Sequence, residues 1–325
     1  MAYSLSNPHH SHLITGAAVA DPVVRKISIG DLKEALARGF DDFRALPSHA
    51  VFLVIIYPIV GFILARLVMG ANVLPILFPL AAGFALLGPL AALGLYEMSR
   101  RREQGLDVSW KHALDVRYSP SFGAIVTLGL LLMAVFLVWI AVAQAIYVGT
   151  FNYQPAASMP DFLRTVLSTP EGWQMIVIGN SVGFLFAAGV LAISAVSFPL
   201  LLDRDVGVAR AIITSLRVVR MNPVTMAVWG LIVAVLLIIG ILPFFFGLAV
   251  VMPVLGHATW HLYRKVVEPD PEAHAEIQPR PKPKRYAADF PASLFAASSN
   301  EPAKFDETST KPAPKKYERF TDDMN

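Results

Sequence analysis

The chain contains no cysteine. That excludes disulfides, thiolate metal sites, iron–sulfur clusters and cysteine nucleophiles together. Charge is also scarce: 16% of the 325 residues are Asp, Glu, Lys or Arg, against about 25% in an ordinary soluble domain. The first stretch, MAYSLSNPHHSHLITGAAVADPVVRK, lacks the basic start and apolar core of a secretory signal peptide. The first long apolar run, beginning near Ala50, is therefore expected to act as its own insertion signal. Neither G-x-x-x-x-G-K-[ST] nor H-E-x-x-H occurs, and no enzymatic activity and no cofactor are expected. A net charge of +3 calls for no nucleic-acid partner.

What is abundant is apolar sequence, 55% of the chain, with a mean hydropathy of +0.55. A membrane-spanning helix needs roughly 20 predominantly apolar residues. Runs at about 49–69, 73–96, 122–148 and 173–201 meet that length. A fifth stretch runs from Val224 to Tyr263. As one helix it would be about 60 Å long, twice the hydrocarbon core. Gly240 and Pro243 interrupt it, so it is read as two spans, 224–242 and 244–263, joined by a short turn.

The expected fold class is therefore all-α, a polytopic membrane helical bundle of six transmembrane spans over residues 27–265. It is flanked by a disordered tail at 1–26 and a Pro/Lys-rich tail at 266–325. Lys and Arg collect on the cytoplasmic side of bacterial membranes. With six spans and both termini inside, 25 of the 27 basic residues fall on that side; Arg66 and Arg164 are the other two. The expected location is the bacterial inner membrane, and the expected partners are the lipid bilayer and other membrane proteins or further copies of the chain.

Three segments resemble one another. They begin at Asp31, Asp107 and Asp205, continue through a short amphipathic stretch, and reach Pro47, Pro120 or Pro223 just before a span. The first stretch groups Leu32, Leu36, Phe40, Phe43 and Leu46 on one helical face. The third groups Ala209, Ile212, Ile213, Leu216 and Val219. Such spacings mark amphipathic helices that lie in the headgroup layer. The expected architecture is three repeats of interfacial helix plus transmembrane hairpin.

The stretch VRKISIGDLKEALARGFDDF, the six spans, and YEMSRRREQG after the second span resemble the bacterial integral membrane proteins known as domain of unknown function 2189. The resemblance covers about residues 24–265. It implies an integral membrane fold without a defined activity; some relatives carry the label of a cytochrome c oxidase subunit. Three-unit architecture is also similar to that of mitochondrial carriers, but their Pro-x-[Asp/Glu]-x-x-[Lys/Arg] signature is missing from the odd-numbered spans.

Two sets of candidate site residues stand out. Glu97, Arg100, Arg101, Arg102 and Glu103 close the second span, and Asp203, Arg204 and Asp205 close the fourth, with Glu97, Arg101, Asp203 and Arg204 the leading candidates. Together they suggest a charge network at the inner face. Of the eight histidines, only His257 and His261 fall within a span, too few for the haem and copper ligands of an oxidase core. Their four-residue spacing puts them on one helix face, where His49 approaches from the same membrane side. The residues permit either interfacial anchoring or metal or haem ligation.

The function read from these features is a non-enzymatic inner-membrane scaffold or assembly partner, or a handler of an apolar ligand. Two other readings remain open. One is a channel or transporter for small, weakly polar solutes, suggested by the many prolines within spans and by the small face Gly179, Gly183 and Ala187. The other is a haem- or metal-binding accessory of the respiratory chain.

Overall fold

A computed structural model describes residues 21–46, 79–80, 83, 86–152, 159–243 and 247–269. The run at 49–69, residues 73–78, 81–82 and 84–85 of the second run, Pro47, His49, residues 1–20 and the stretch from 270 onward lie outside the described residues. Among those described, regular structure is helical apart from one isolated antiparallel bridge, Val24 to Val267.

Helix α1 spans Ile29–Ala45. Ser28 caps it: the Asp31 amide donates to Ser28 Oγ (3.3 Å), and the Ser28 amide donates back to Asp31 Oδ2 (2.8 Å). A single turn, Gly88–Ala91, leads into α2, Leu93–Glu103. Gly105, at φ +68°, ends α2 with its own amide bonded to Arg102 O and that of Leu106 to Arg101 O. Glycine suits this left-handed position because it has no Cβ to clash. A 3-10 helix, Trp110–Tyr118, precedes α3, Phe122–Phe151. Next come α4, Met159–Ser168, and α5, Pro170–Ser194, capped by Thr169. The remaining helices are α6, Ser197–Asp203; α7, Val208–Met221; α8, Pro223–Ile241; and α9, Leu248–Val266.

Three stretches are long and apolar enough to cross a membrane among the described residues: Phe122–Phe151, Pro170–Asp203 and Pro223–Ile241. Their outward surfaces are apolar, with Leu130, Phe184, Leu185 and Leu231 each more than 60% exposed. That is the pattern of a lipid-facing helix rather than of a soluble core. Helices α3 and α5 pack through Gly183, where an added Cβ would stand 3.0 Å from the Trp139 ring. The 224–263 stretch divides into α8 and α9. Gly240 and Gly247 meet at the break, where a Cβ on Gly247 would lie 2.8 Å from Gly240 Cα. Helix α9 is not among the candidate spans; its second half carries His257, His261, Arg264 and Lys265.

Of the two apolar stripes read from the sequence, only Leu32 and Leu46 are buried inside the protein. On α1 the buried residues are Leu32, Ala35, Gly39 and Asp42, while Phe40 is 45% exposed. On α7 they are Ala211, Thr214, Ser215 and Val218; Ile213 and Leu216 point outward. The middle unit has a 3-10 helix in place of an amphipathic α-helix. The physical reason is close packing. A Cβ on Gly39 would sit 2.6 Å from the Ala258 backbone nitrogen, so α1 touches α9 backbone to backbone. Only the face with small residues permits that approach, and it carries Asp42 inward with it.

Replacing Gly39 with leucine is expected to push α1 off α9 and to destabilise the protein by about 1–3 kcal/mol. Phe40→Leu on the exposed side should change stability by less than about 0.5 kcal/mol. Denaturant titration in mild detergent measures both; equal effects would contradict the packing of this face on α9.

Candidate functional site

One end of the bundle gathers most of the buried charge. Helices α2, α6 and α9 finish there, and α3, α7 and α8 begin close by. The segment 23–28 ties this end together. Arg25 N donates to Val266 O (2.8 Å) and Glu268 N to Val23 O (2.9 Å). Asn222, at the start of α8, accepts from Ile27 N at Oδ1 (2.9 Å) and donates from Nδ2 to Arg25 O (3.0 Å). Ser121, at the start of α3, donates to Asp205 Oδ1 (3.2 Å) beyond the end of α6.

Asp42 is the centre of one cluster. It is 4% exposed, yet it binds three side chains from two other helices. Ser99 Oγ of α2 donates to Oδ2 (2.5 Å), His261 Nε2 of α9 lies 2.9 Å from the same oxygen, and Arg102 of α2 pairs with Oδ1. His257 Nδ1 is 2.7 Å from Ser99 Oγ and 3.9 Å from Asp42. Burial alone would raise the Asp42 carboxyl. The hydrogen bonds from His261 and Ser99, with the imidazoles nearby, hold it below the ordinary carboxylate range.

Glu97 is fully buried and forms a two-pronged pair with Arg100: Nε to Oε2 (2.8 Å) and Nη2 to Oε1 (3.1 Å). Arg101 Nη1 stands 3.8 Å from Oε1. Burial pushes the Glu97 carboxyl above its usual range, and the two arginines offset this only in part.

Asp203 accepts from Tyr263 Oη (2.6 Å) and from Arg204 Nε (3.5 Å), with Arg264 Nη1 at 3.6 Å. Arg204 also donates through Nη2 to the Glu268 carbonyl. Arg264 Nε reaches Glu103 (2.9 Å), which also accepts from Trp260 Nε1 (2.9 Å). The final basic residue of α9, Lys265, pairs with Asp31 and Glu34 of α1.

The structure thus places Glu97 with Arg101, and Asp203 with Arg204. Arg100, from the same run of charge, joins the first pair; Tyr263 and Arg264, which sequence did not assign to this network, join the second. His257 and His261 converge on Asp42 and Ser99, while His49 lies outside the described residues. Among the described residues, no group of three or more His, Asp or Glu is arranged to hold a metal ion. Asp42 and Ser99 escaped the sequence reading. The signal that could have found Asp42 is the 3-4-3 spacing of Leu32, Ala35, Gly39 and Asp42, a small-residue stripe ending in a charge.

Ser99 lies between the carboxylate and the imidazole. In a nucleophilic triad the imidazole lies between the other two, and Ser99 is 1% exposed. What the arrangement does is fasten α1, α2 and α9 to one another. Residues 179–183 read G-N-S-V-G and so match the G-x-S-x-G pattern. They lie inside continuous helix α5, not at the strand-to-helix turn that makes such a serine a nucleophile.

The long apolar helices with lipid-type surfaces, closed at one end by buried ion pairs, define an α-helical integral membrane protein. Residues 77–203 match the model of the family described as predicted integral membrane protein (DUF2189). The match takes in Glu97, Ser99, Arg102 and Asp203, and stops short of Asp42, His257 and His261 on either side. No curated protein and no solved structure matches the chain.

Two substitutions test the clusters. Glu97→Gln leaves Arg100 buried beside a neutral amide and is expected to destabilise by about 3–5 kcal/mol. Asp42→Asn should be milder, about 1–3 kcal/mol, because Arg102 is 41% exposed and water screens it. A carboxyl with a lowered native pKa binds its proton more weakly folded than unfolded. The Asp42 contribution is therefore complete above the ordinary value of 3.8 and is lost as pH falls through the lower native value. Thermal midpoints measured between about pH 6 and pH 3 should show an acid-dependent loss in the wild type that is smaller in Asp42→Asn.

Proposed function

We propose that the chain is a six-span protein of the bacterial inner membrane, with both termini cytoplasmic, built from three units of interfacial helix and transmembrane hairpin. It acts without catalysis, as a scaffold for assembly with other membrane proteins. The supporting observation is the closed polar end. Val24 pairs with Val267, so the two flanks of the helical region lie side by side. Chain segments on the same side of a bilayer are separated by an even number of crossings. The successive ends of α2, α6 and α9 and starts of α3 and α8 at that end agree with a chain that reverses at each helix. The same end carries Arg100, Arg101, Arg102, Arg204, Arg264 and Lys265, in keeping with a cytoplasmic face.

The polar groups at this end are engaged chiefly with one another, across helices far apart in sequence. A reacting site would need a group presented to a substrate. A scaffold needs the rigidity that such cross-links supply.

The absence of cysteine makes topology directly measurable. Single substitutions Ser4→Cys and Ser298→Cys are expected to react with an impermeant maleimide only from the cytoplasmic side, and Asp161→Cys only from the outer side. Labelling of the two termini from opposite sides would refute the even span count. For the scaffold role, a Glu97→Gln, Asp203→Asn variant that remains folded should lose most of the membrane proteins that co-purify with the wild type. Undiminished recovery would remove the assembly function from this end.

A further inference from the structure

The outward face of α7 combines basic residues with exposed apolar ones. Helix α7 contains three arginines and no acidic residue. Arg210 pairs with Asp21 (3.2 Å). Arg217 and Arg220 are exposed, and no ion pair is recorded for either among the described residues. Several other surface cations are matched: Arg38 with Glu34, Lys265 with Asp31 and Glu34, Arg25 with Glu268, and Arg117 against the Tyr118 ring.

Beside these two arginines lie two apolar side chains of the stripe read from the sequence. Ile213 is 54% exposed and Leu216 is 44% exposed. Positions 213, 216, 217 and 220 share one helical face by their three- and four-residue spacing. The strip continues through Met221 to Val224, which is 71% exposed, and then to the outward apolar surface of α8. A face that joins a lipid-facing helix and combines apolar side chains with unmatched guanidiniums suits the boundary between acyl chains and headgroups. The apolar groups enter the acyl layer, while the long arginine side chains extend to the phosphates. A fixed positive charge at that depth is drawn to a net-negative headgroup more strongly than to a zwitterionic one.

We propose that this face of α7 is a docking surface for anionic phospholipid headgroups, with Arg217 and Arg220 as the phosphate-binding residues. The proposal rests on the reading of α7 as an interfacial helix at the basic end. It adds that this helix selects anionic over zwitterionic lipid, and it names the residues that select.

The test uses the full chain with a fluorophore on Ala209→Cys, an exposed position at the start of the same face. The protein is reconstituted in phosphatidylcholine vesicles holding a small fraction of quencher-bearing lipid, either phosphatidylglycerol or phosphatidylcholine. The wild-type face should favour the anionic quencher. Each basic residue near an anionic surface contributes about fivefold, so Arg217→Gln with Arg220→Gln should reduce the preference by roughly 30-fold. Arg217→Lys with Arg220→Lys should retain most of it, and salt should weaken it. Equal quenching by the two lipids in the wild type, or a preference that survives the glutamine substitutions, would overturn the assignment. Full displacement of the anionic lipid by millimolar inorganic phosphate at constant ionic strength would reassign the site to free phosphate and would also overturn it. If neither lipid quenches, α7 is not at the membrane surface, and the interfacial reading beneath the proposal fails. An odd span count in the labelling experiment, by contrast, would leave the lipid preference intact.

Discussion

A carboxylate removed from water must be paired, and the pairing of Asp42 governs how this protein closes. The side chain is 4% exposed and holds Ser99 and Arg102 on one helix and His261 on another. Those partners come from residues 57 to 219 positions away in the chain. The bond to His261 requires α1 to lie directly against α9, and that contact exists because Gly39 leaves room for the Ala258 backbone. One glycine, one carboxylate and the end of α2 thus form a single interlocked requirement.

The same logic explains why two amphipathic helices present apolar residues outward. In water, the stripe containing Phe40, or that containing Ile213 and Leu216, would turn inward, because apolar burial dominates folding. Beside a membrane that driving force weakens, since lipid accepts an apolar side chain as readily as a protein core does. Close contact and polar satisfaction then decide the rotation. Small and polar residues turn in, Gly39 and Asp42 on α1 and Ala211, Thr214 and Ser215 on α7, and bulky apolar ones such as Phe40, Ile213 and Leu216 are left outward.

The polar end was legible in sequence only where charge interrupts an apolar run. Glu97, Arg101, Asp203 and Arg204 stand out because each follows a span directly. Their partners Tyr263 and Arg264 did not, because an aromatic and a basic residue at the end of a span are explained equally well by anchoring at the interface. His257 and His261 could be placed on one face from their spacing. That they share Asp42 and Ser99 could not, because hydrogen-bond partners on other helices leave no mark in local periodicity. Asp42 was hidden by its neighbour: Asp41 and Asp42 are adjacent, and only the packing of α1 makes one exposed and the other buried.

The sequence by itself determined the class of protein. Run length, low charge and the distribution of Lys and Arg are local properties, and a bilayer selects on them directly: an apolar stretch long enough to cross the hydrocarbon must satisfy its backbone internally and becomes a helix. The break between α8 and α9 belongs to the same category, since Gly240 and Pro243 weaken a helix wherever they occur. Only the tertiary structure decided which faces turn inward and which charges meet. Those outcomes depend on how closely two helices from distant parts of the chain can approach, and that is set by the pair of surfaces in contact, not by either sequence alone.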